Sequence, residues 1–482
     1  MTRLFDVFRY PILFLLLALL STSACGAAVL PYARIDRALQ DGNPAEGVAI
    51  LEKTQQVYGS RSEALYLMDK GMIQHLAGHH TDSIHSLSNA EALTEELYTR
   101  RIRSEVEAFL TSDNALPYEG EEFEKVLLNV LMAVNYAQLG LWDDALVEAR
   151  KVDHKLALLG DRNQNRMTYS KDALARYLSG VLYEAAGDLS NAFVAYRLAL
   201  DAFQQYGKAY GVPTPALLRQ DLLRVSEALG LTQEHEEYKQ AFQGITWQSE
   251  SASQGLGEIV FITYAGHAPV KRDIFVDIPF SADALSLVLA TTRYDRRDTR
   301  AADSILYGLN GRIIRLALPQ FVPRRSVVAY TEAVVAGGES RHASRSVVME
   351  DITAIASKDL EERLLRTMVK AVARAAWKRA LAEAVQVGVR SAVQDKETGA
   401  LAGAVAGAVA RIFAIASEEA DTRSWATLPD RIHVGRLSVP PGTYDVELRH
   451  VGTFGGVVET QMMRGITVTE RGRRFVSTRV LQ

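Results

Sequence analysis

The sequence has a single cysteine, Cys25, among 482 residues. One thiol cannot form a disulfide within the chain, so hydrophobic cores must stabilise the fold. With 48% hydrophobic residues, a chain of this length can form two or three domains. The formal net charge is only -4, and this near-neutral balance argues against a nucleic-acid-binding protein.

The sequence also lacks a Gly-rich phosphate loop, a zinc-protease helix motif, a Gly-x-Ser-x-Gly elbow and a Cys/His nucleophile pair. We therefore assign no catalytic and no cofactor-binding residues. Histidines cluster at His75, His79, His80 and His85. Two of them on one helix could share a metal ion, but a predicted turn at Gly78 separates them, and we expect no metal site.

The N-terminal segment 1–24 has the pattern of an export signal. Arg3 and Arg9 precede an apolar run over 11–20, and small residues follow it up to Cys25. The run is too short to span a bilayer as a helix. A cysteine directly after small residues is the acceptor that bacterial lipoprotein processing needs, although Thr22 stands where such signals most often have Leu. We predict that Cys25 carries a lipid anchor.

The residue after the cysteine bears on localisation. Gly26 is not the Asp that favours retention in the inner membrane. We therefore expect a lipid-anchored protein on the periplasmic face of the outer membrane. The alternative is cleavage near Ala24 or Ala27, which would release a secreted periplasmic protein.

Segment 25–246 has the period of paired amphipathic helices. Within its best unit, 177–199, Gly180 and Ala192 are small where two helices must cross closely, and Tyr183 and Tyr196 fill the space between helices. The unit resembles a tetratricopeptide (TPR) repeat. Glycines are predicted to make the turns of five such hairpins, at Gly42, Gly78, Gly140, Gly187 and Gly230.

The intervals between these glycines are irregular, which indicates a solenoid with insertions. We predict surface loops at 113–121 and 206–215, which are rich in turn residues. A Ser-, Gly- and Gln-rich stretch over 247–257 is predicted to be an interdomain linker.

Beyond the linker the pattern changes to strands, over 258–349 and again over 421–482. The expected fold is α+β and multidomain, with an N-terminal TPR-like α-solenoid and a C-terminal β-rich domain. A long helical hairpin, 350–420, is inserted into that domain. Strands are predicted at 258–264, 273–278, 312–318, 326–335, 341–349, 444–448, 466–469 and 475–480, with a hairpin at Gly337–Gly338.

Glycines recur every four residues at Gly399, Gly403 and Gly407, within a segment over 399–416 whose only charge is Arg411. Such small-residue faces pack helices in membranes, so membrane association through this segment is one hypothesis. We favour a buried helical hairpin, because the segment is short for a span and Arg411 is costly in lipid.

Two aromatic and charged phrases are candidates for partner binding. Tyr118, Glu119 and Phe123 could line a groove, or they could form a hydrophobic staple and an acidic first turn at a helix start. Arg423 and Trp425 could contact a ligand. The alternative, which we favour, has Trp425 plugging a helix-to-sheet junction and Arg423 pairing with Asp421 or Glu418.

Four longer phrases carry a family resemblance. They are Asp113–Asn129, Tyr206–Arg224, Gly266–Lys271 and Glu419–Leu448. In these phrases the chain resembles a family of exported bacterial lipoproteins with TPR-like N-terminal regions. That family has no assigned reaction, so the resemblance implies no catalytic residue.

Our main hypothesis is therefore a lipid-anchored periplasmic scaffold that binds an envelope protein or peptide through a TPR-like groove. The sequence leaves open whether that groove is free or filled by the chain's own C-terminal part. Two alternatives remain: an envelope enzyme with a site between the β-rich domain and the helical hairpin, and a protein that acts on membranes through 399–416. The oligomeric state is not predicted.

The anchor can be tested with Cys25→Ala. We expect the wild type to be acylated and to float with outer membranes, and the variant to be found in the soluble periplasmic fraction. Intact mass and membrane fractionation would measure this. Two soluble forms without added acyl mass would contradict the lipoprotein assignment.

Overall fold

The computed structural model describes residues 30–103, 116–162, 172–249, 255–279, 313–337, 340–363 and 420–482. Cys25, the predicted leader and residues 364–419, which include most of the predicted helical hairpin and the segment 399–416, lie outside the described residues. The predictions made for them therefore stay predictions.

The N-terminal part of the described chain is helical. Its helices are α1 (Tyr32–Gln40), α2 (Pro44–Lys53), α3 (Gln55–Tyr58), α4 (Glu63–Leu76), α5 (His80–Arg103), α6 (Glu122–Gln138), α7 (Trp142–Arg162), α8 (Ala173–Ala185), α9 (Leu189–Ala209), α10 (Ala216–Ala228) and α11 (Thr232–Ala241).

The helices pair as hairpins, and each of the five predicted glycines makes a turn. All five have positive φ angles, between 68° and 81°, which other residues rarely adopt. The helix crossing in the best unit is also as predicted. A Cβ atom added to Gly180 on α8 would lie 2.3 Å from the ring of Tyr196 on α9, so only glycine allows this approach.

One predicted loop is shorter than expected. Helix α9 continues to Ala209, so the loop expected over 206–215 begins only at Tyr210. The reason is that Phe203 and Tyr206 continue the buried stripe of the helix and are each at most 1% exposed. The turn-forming residues that predicted the loop lie further along the chain, so the helix ends later than predicted.

Within the described ranges, the strands form two four-stranded sheets and one two-stranded sheet. They are β1 (Gly257–Ala265), β2 (Val270–Pro279), β3 (Ile313–Val322), β4 (Val328–Gly337), β5 (Ser340–Arg345), β6 (Val347–Asp351), β7 (Arg431–Val439), β8 (Gly442–Gly452), β9 (Val457–Val468) and β10 (Arg473–Val480). The strand orders are β10-β1-β7-β6, β2-β3 and β5-β4-β8-β9. Strands β1 and β10 are parallel, and the other pairs are antiparallel.

Both four-stranded sheets combine strands from the two sides of the segment 350–420. The first sheet lies between the helices and the second sheet. On β1, Val260 and Ile262 pack in the core that includes the helices, whereas Ile259 and Phe261 pack against the second sheet. This alternation follows from the two-residue period of a strand. It explains why the run 257–265 is apolar on both faces.

Two predicted boundaries in this part are wrong. The strand expected over 341–349 is split at Ser346, where the chain passes from the second sheet to the first. There the backbone nitrogen of Thr331 on β4 donates to Ser346 Oγ at 2.8 Å. This backbone donor therefore has a hydrogen-bond partner at the crossing. Glu350 and Asp351 belong to β6, so the segment predicted as helical from 350 begins its helix, α12 (352–363), two residues later.

Strand β7 was not predicted, although it lies at the centre of the first sheet between β1 and β6. It carries His433 and Arg436 in buried positions, and these polar residues hide the apolar pattern of a central strand. The fold is nevertheless α+β, as expected from the sequence. Among the described residues, no helix combines the length and the apolar character that a membrane crossing requires.

Candidate functional site

The chain's own β-rich part covers one face of the helical repeats. Helices α4, α6 and α8 contact strands β10 and β6. The ring of His75 on α4 lies 5.4 Å from that of Tyr264, and Trp142 lies 6.0 Å from Phe475. Gln138 Nε2 donates to Ser477 Oγ at 2.6 Å. We call this contact region the seam.

A buried ion network crosses the seam around Arg436 on β7. Its Nη1 lies 2.8 Å from Asp221 Oδ1, and its Nη2 lies 2.7 Å from both Glu184 Oε2 and Glu258 Oε2. Arg473 Nη2 also contacts Glu184, at 2.9 Å. A buried guanidinium is tolerated only with such compensation. The network therefore fixes helices α8 and α10 to strands β1, β7 and β10.

The same network sets the charge of its acids. Burial alone would raise the pKa of Glu184, but Arg436, Arg224 and Arg473 hold the pKa of this carboxyl well below its usual range. Burial likewise opposes ionisation of Glu258, and Arg436 outweighs it, so the pKa of Glu258 is lowered. Both acids are therefore ionised when they meet the arginines.

A second contact is made by the segment 420–430, which leads into β7. The backbone nitrogen of Trp425 donates to Glu124 Oε1 at 2.7 Å, and the hydroxyl of Tyr118 donates to the other oxygen of Glu124. Trp425 is 1% exposed. Arg423 Nη2 lies 2.7 Å from Asp421 Oδ2 and donates to the carbonyl of Leu116 at 2.9 Å. The segment therefore plugs the junction between helices and sheet.

The five candidate binding residues thus lie at this contact or next to it. Tyr118, Phe123 and Trp425 are buried, and the guanidinium of Arg423 lies 5.3 Å from the ring centre of Tyr118. Glu119 is partly exposed. Trp425 fills the junction between helices and sheet, and Arg423 pairs with Asp421, as in the alternative that we favoured from the sequence. Binding of a partner by these five residues stays a prediction.

The start of helix α6 differs in detail from the prediction. Glu121 is its N-cap, and the side chain of Glu124 accepts from the backbone nitrogen of Glu121 at 2.9 Å. This is a capping box. A hydrophobic staple is not formed, because the residue before the cap is Gly120, which has no side chain.

Asp69 on α4 is a buried acid at the centre of a third contact. Its Oδ2 accepts from the hydroxyls of Tyr32 and Tyr58, each at 2.9 Å, and its Oδ1 accepts from Thr427 at 2.8 Å. Burial raises the pKa of Asp69 to about 7, and the three hydroxyls only partly oppose this shift. The proton count of Asp69 is therefore linked to the docking of segment 420–430.

A fourth contact involves α12. The ammonium of Lys271 on β2 and the guanidinium of Arg363 on α12 both pair with Glu121, and Arg363 also pairs with Asp359. Burial raises the pKa of Asp359 to about 7, although Arg363 opposes this. These pairs fix the start of α6 to the β-rich part.

The histidine cluster is divided by the turn at Gly78, as the sequence indicates. His75 and His80 both approach Asn135 Oδ1, with their Nδ1 atoms at 2.6 and 3.0 Å. Burial lowers the pKa of His75 to about 3, so its ring is neutral. Within the described ranges, no group of three or more His, Cys, Asp or Glu residues is placed to hold a metal ion.

Sequence reasoning missed the central residues of the seam. Asp221 lies within the buried stripe that includes Leu218, Leu222 and Val225, and Arg436 lies within an unpredicted strand. A charged residue at an apolar position of an amphipathic helix was the available indication for Asp221. Its partner could not be inferred, because Arg436 is distant in the chain.

Comparisons with known proteins add little to this geometry. No family model matches the chain, and no curated protein matches it. Among solved structures, MamA is 13% identical with a TM-score of 0.27, over 42% of this chain and 90% of that chain. A putative kinesin light chain from Podosopora anserina with nearly identical TPR-like repeats is 16% identical with a TM-score of 0.31, over 46% and 96%.

The apo form of RapI is also similar, at 11% identity with a TM-score of 0.33, over 80% of this chain and 74% of that chain. All three TM-scores are below 0.5, a level at which structural likeness carries no information about function.

The network at the seam can be tested with Arg436→Met. We expect a loss of about 3–5 kcal/mol in the free energy of unfolding, because Glu184, Asp221 and Glu258 lose a buried counter-charge. Urea unfolding would measure it. Arg449→Met is the matched control, since Arg449 pairs with Glu447 at the surface, where solvent screens the pair and its removal should change the stability little. Equal effects of the two variants would contradict the role of the network.

Asp69 predicts a pH dependence of stability. Its folded-state pKa of about 7 exceeds the unfolded value, so the folded state binds more protons between these values and loses stability as the pH rises through that window. The loss approaches about 1.4 kcal/mol per pH unit. Urea unfolding of the wild type and Asp69→Asn from pH 4.5 to 7 should give a flatter profile for the variant. Parallel profiles would rule out this assignment.

Proposed function

We propose that this protein is a lipid-anchored scaffold of the bacterial cell envelope. Cys25 tethers it to the periplasmic face of the outer membrane, and the folded part binds a protein or peptide partner. The export pattern of 1–24 and the hairpins of α1–α11 support this proposal. Stacked helical hairpins commonly serve as interaction surfaces.

The observation that carries the proposal is the face of the repeats that the β-rich part covers. Three arginines and three acids fix the β-rich part against α8 and α10, so this face already holds an intramolecular ligand. The partner therefore meets the composite of repeats and sheets from outside. Exposed apolar side chains on the outer helix faces, such as Val147 at 44% and Val194 at 52%, are suited to such contacts.

An enzymatic role is the second candidate, because buried acids with raised pKa values are frequent at catalytic sites. Asp69 and Asp359 have this property. Both oxygens of Asp69 accept from hydroxyls, however, and Asp359 Oδ2 pairs with Arg363. A pocket at the seam is lined by apolar residues such as Val130, Leu178 and Phe475. The geometry therefore favours the scaffold.

The scaffold proposal can be tested by mild crosslinking in cells that express the wild type, Cys25→Ala or Trp425→Ala. We expect a defined envelope protein to crosslink to the wild type and to be lost from Cys25→Ala, which no longer reaches the membrane. Trp425→Ala reports on the seam, since it removes the plug without touching the outer faces. Mass spectrometry would identify the partner.

Retention of the partner by Trp425→Ala would support binding to an outer surface. Loss of the partner, with a fold that circular dichroism finds intact, would contradict outer binding and indicate the seam. No reproducible partner for the wild type would contradict the scaffold proposal itself. Val194→Ala tests the outer face directly, because Val194 is one of the exposed apolar side chains suited to contact the partner, and we expect it to weaken the crosslink.

A further inference from the structure

A cluster of basic side chains lies where the loop after β1 meets α1 and the end of β10. His267 belongs to that loop, Arg324 to the loop between β3 and β4, and Arg479 to β10. Asp36 on α1 faces them, with Oδ2 3.7 Å from His267 Nδ1. None of these residues takes part in the contacts described at the seam.

The backbone around this cluster is held firmly. The nitrogen of Gly266 donates to the carbonyl of Val480, and the nitrogen of Ala268 donates to the carbonyl of Leu428, each at 2.8 Å. Gly266 has a φ angle of 68°, and an added Cβ would lie 2.6 Å from Ser326. The loop is therefore preorganised and packed against the segments that carry the two arginines.

The guanidinium groups have more donors than the protein uses. Arg479 Nη2 donates to the carbonyl of Leu428 at 3.1 Å, but its Nε and Nη1 are buried and have no hydrogen-bond partner among the described residues. Arg324 Nε donates to the carbonyl of Ala268 at 2.8 Å. Within the described chain, neither arginine lies within ion-pair distance of an acid. Leaving charged donors unsatisfied is costly, and a bound anion would remove that cost.

The electrostatics of the neighbouring groups agree with an excess of positive charge. Burial lowers the pKa of Arg479 to about 10, with Arg324 adding to the effect and Asp36 opposing it. Burial, and then the charges of Arg479 and Arg324, lower the pKa of His267 to about 4, so this imidazole is neutral at pH 7. Two positive charges thus face one negative charge, which suits a singly charged anion.

The cluster is accessible from the surface. Arg324 is partly exposed, and the side chain of His267 is 20% exposed. The planar fork of a guanidinium matches the paired oxygens of a carboxylate or a phosphate ester.

We propose that Arg324, Arg479 and His267 form a binding site for a singly charged oxyanion, a phosphodiester or a carboxylate, with Asp36 limiting the charge of the ligand. A phospholipid headgroup and a free metabolite or peptide carboxylate share this chemistry. The site is independent of the scaffold function, since it needs neither the anchor nor a protein partner.

The test uses unacylated full-length Cys25→Ala, with sodium acetate and glycerophosphoglycerol as soluble probes in calorimetric titrations at constant ionic strength. We expect saturable binding of at least one probe. Arg324→Gln should weaken it roughly tenfold, which corresponds to the loss of a charge-assisted hydrogen bond. Asp36→Asn should strengthen it severalfold, because a repelling carboxylate is removed.

Arg345→Gln is the matched control, since Arg345 is an exposed arginine that pairs with Glu332. This variant should bind the two probes with unchanged affinity. Arg479→Gln is a supporting variant, used only if its circular dichroism matches the wild type. Absence of saturable binding, equal affinity in Arg324→Gln, or weaker binding in Asp36→Asn would overturn the proposal.

Vesicles separate the two sources of the ligand. Binding to phosphatidylglycerol vesicles, but not to phosphatidylcholine vesicles, that is lost in Arg324→Gln would support a lipid headgroup. Binding of the soluble probes without vesicle binding would support a free ligand. If the anion site is not confirmed, the scaffold proposal is unaffected. The crosslinking experiment with the anchored wild type tests the scaffold proposal separately.

Discussion

The buried ion network around Arg436 is the interaction on which the arrangement of the molecule depends. Arg436 comes from a central strand, whereas Glu184 and Asp221 come from helices of two different hairpins. Removing Arg436 would leave the three acids with only Arg224 and Arg473 as partners, which is unfavourable for buried charges. The helices and the sheets are therefore coupled by charge as well as by apolar packing. Each part supplies side chains that the core and the ion network of the other part need.

This coupling changes what the helical repeats can do. Solenoids of helical hairpins commonly offer their concave face to a partner. Here the first sheet packs against helices α4, α6 and α8, with Trp425 and Phe475 among the side chains buried in the shared core. The covered face serves as a platform for the sheets, and the surfaces of the described chain that we propose for recognition are the outer faces of the helices and the basic cluster at Arg324.

Local features of the fold were predictable from particular residues. The turn glycines need positive φ angles, and Gly180 faces Tyr196 because a small and a large residue must alternate at a close helix crossing. The pairing of Arg423 with Asp421 was also predictable, since the two are neighbours in the chain. Strand β7 and the crossing at Ser346 were not, because buried polar residues interrupt the apolar pattern there and their partners are distant in the chain.

The sequence by itself determined the α+β composition, the hairpins and their turns, because each depends on residues close together in the chain; the lipid anchor at Cys25 stays a prediction. Only the tertiary structure decided that the repeats hold the chain's own sheets, and that Arg436, Asp69 and Arg479 have special environments. Burial and electrostatic compensation are properties of groups brought together from distant positions. No local pattern in the sequence encodes which charges will meet.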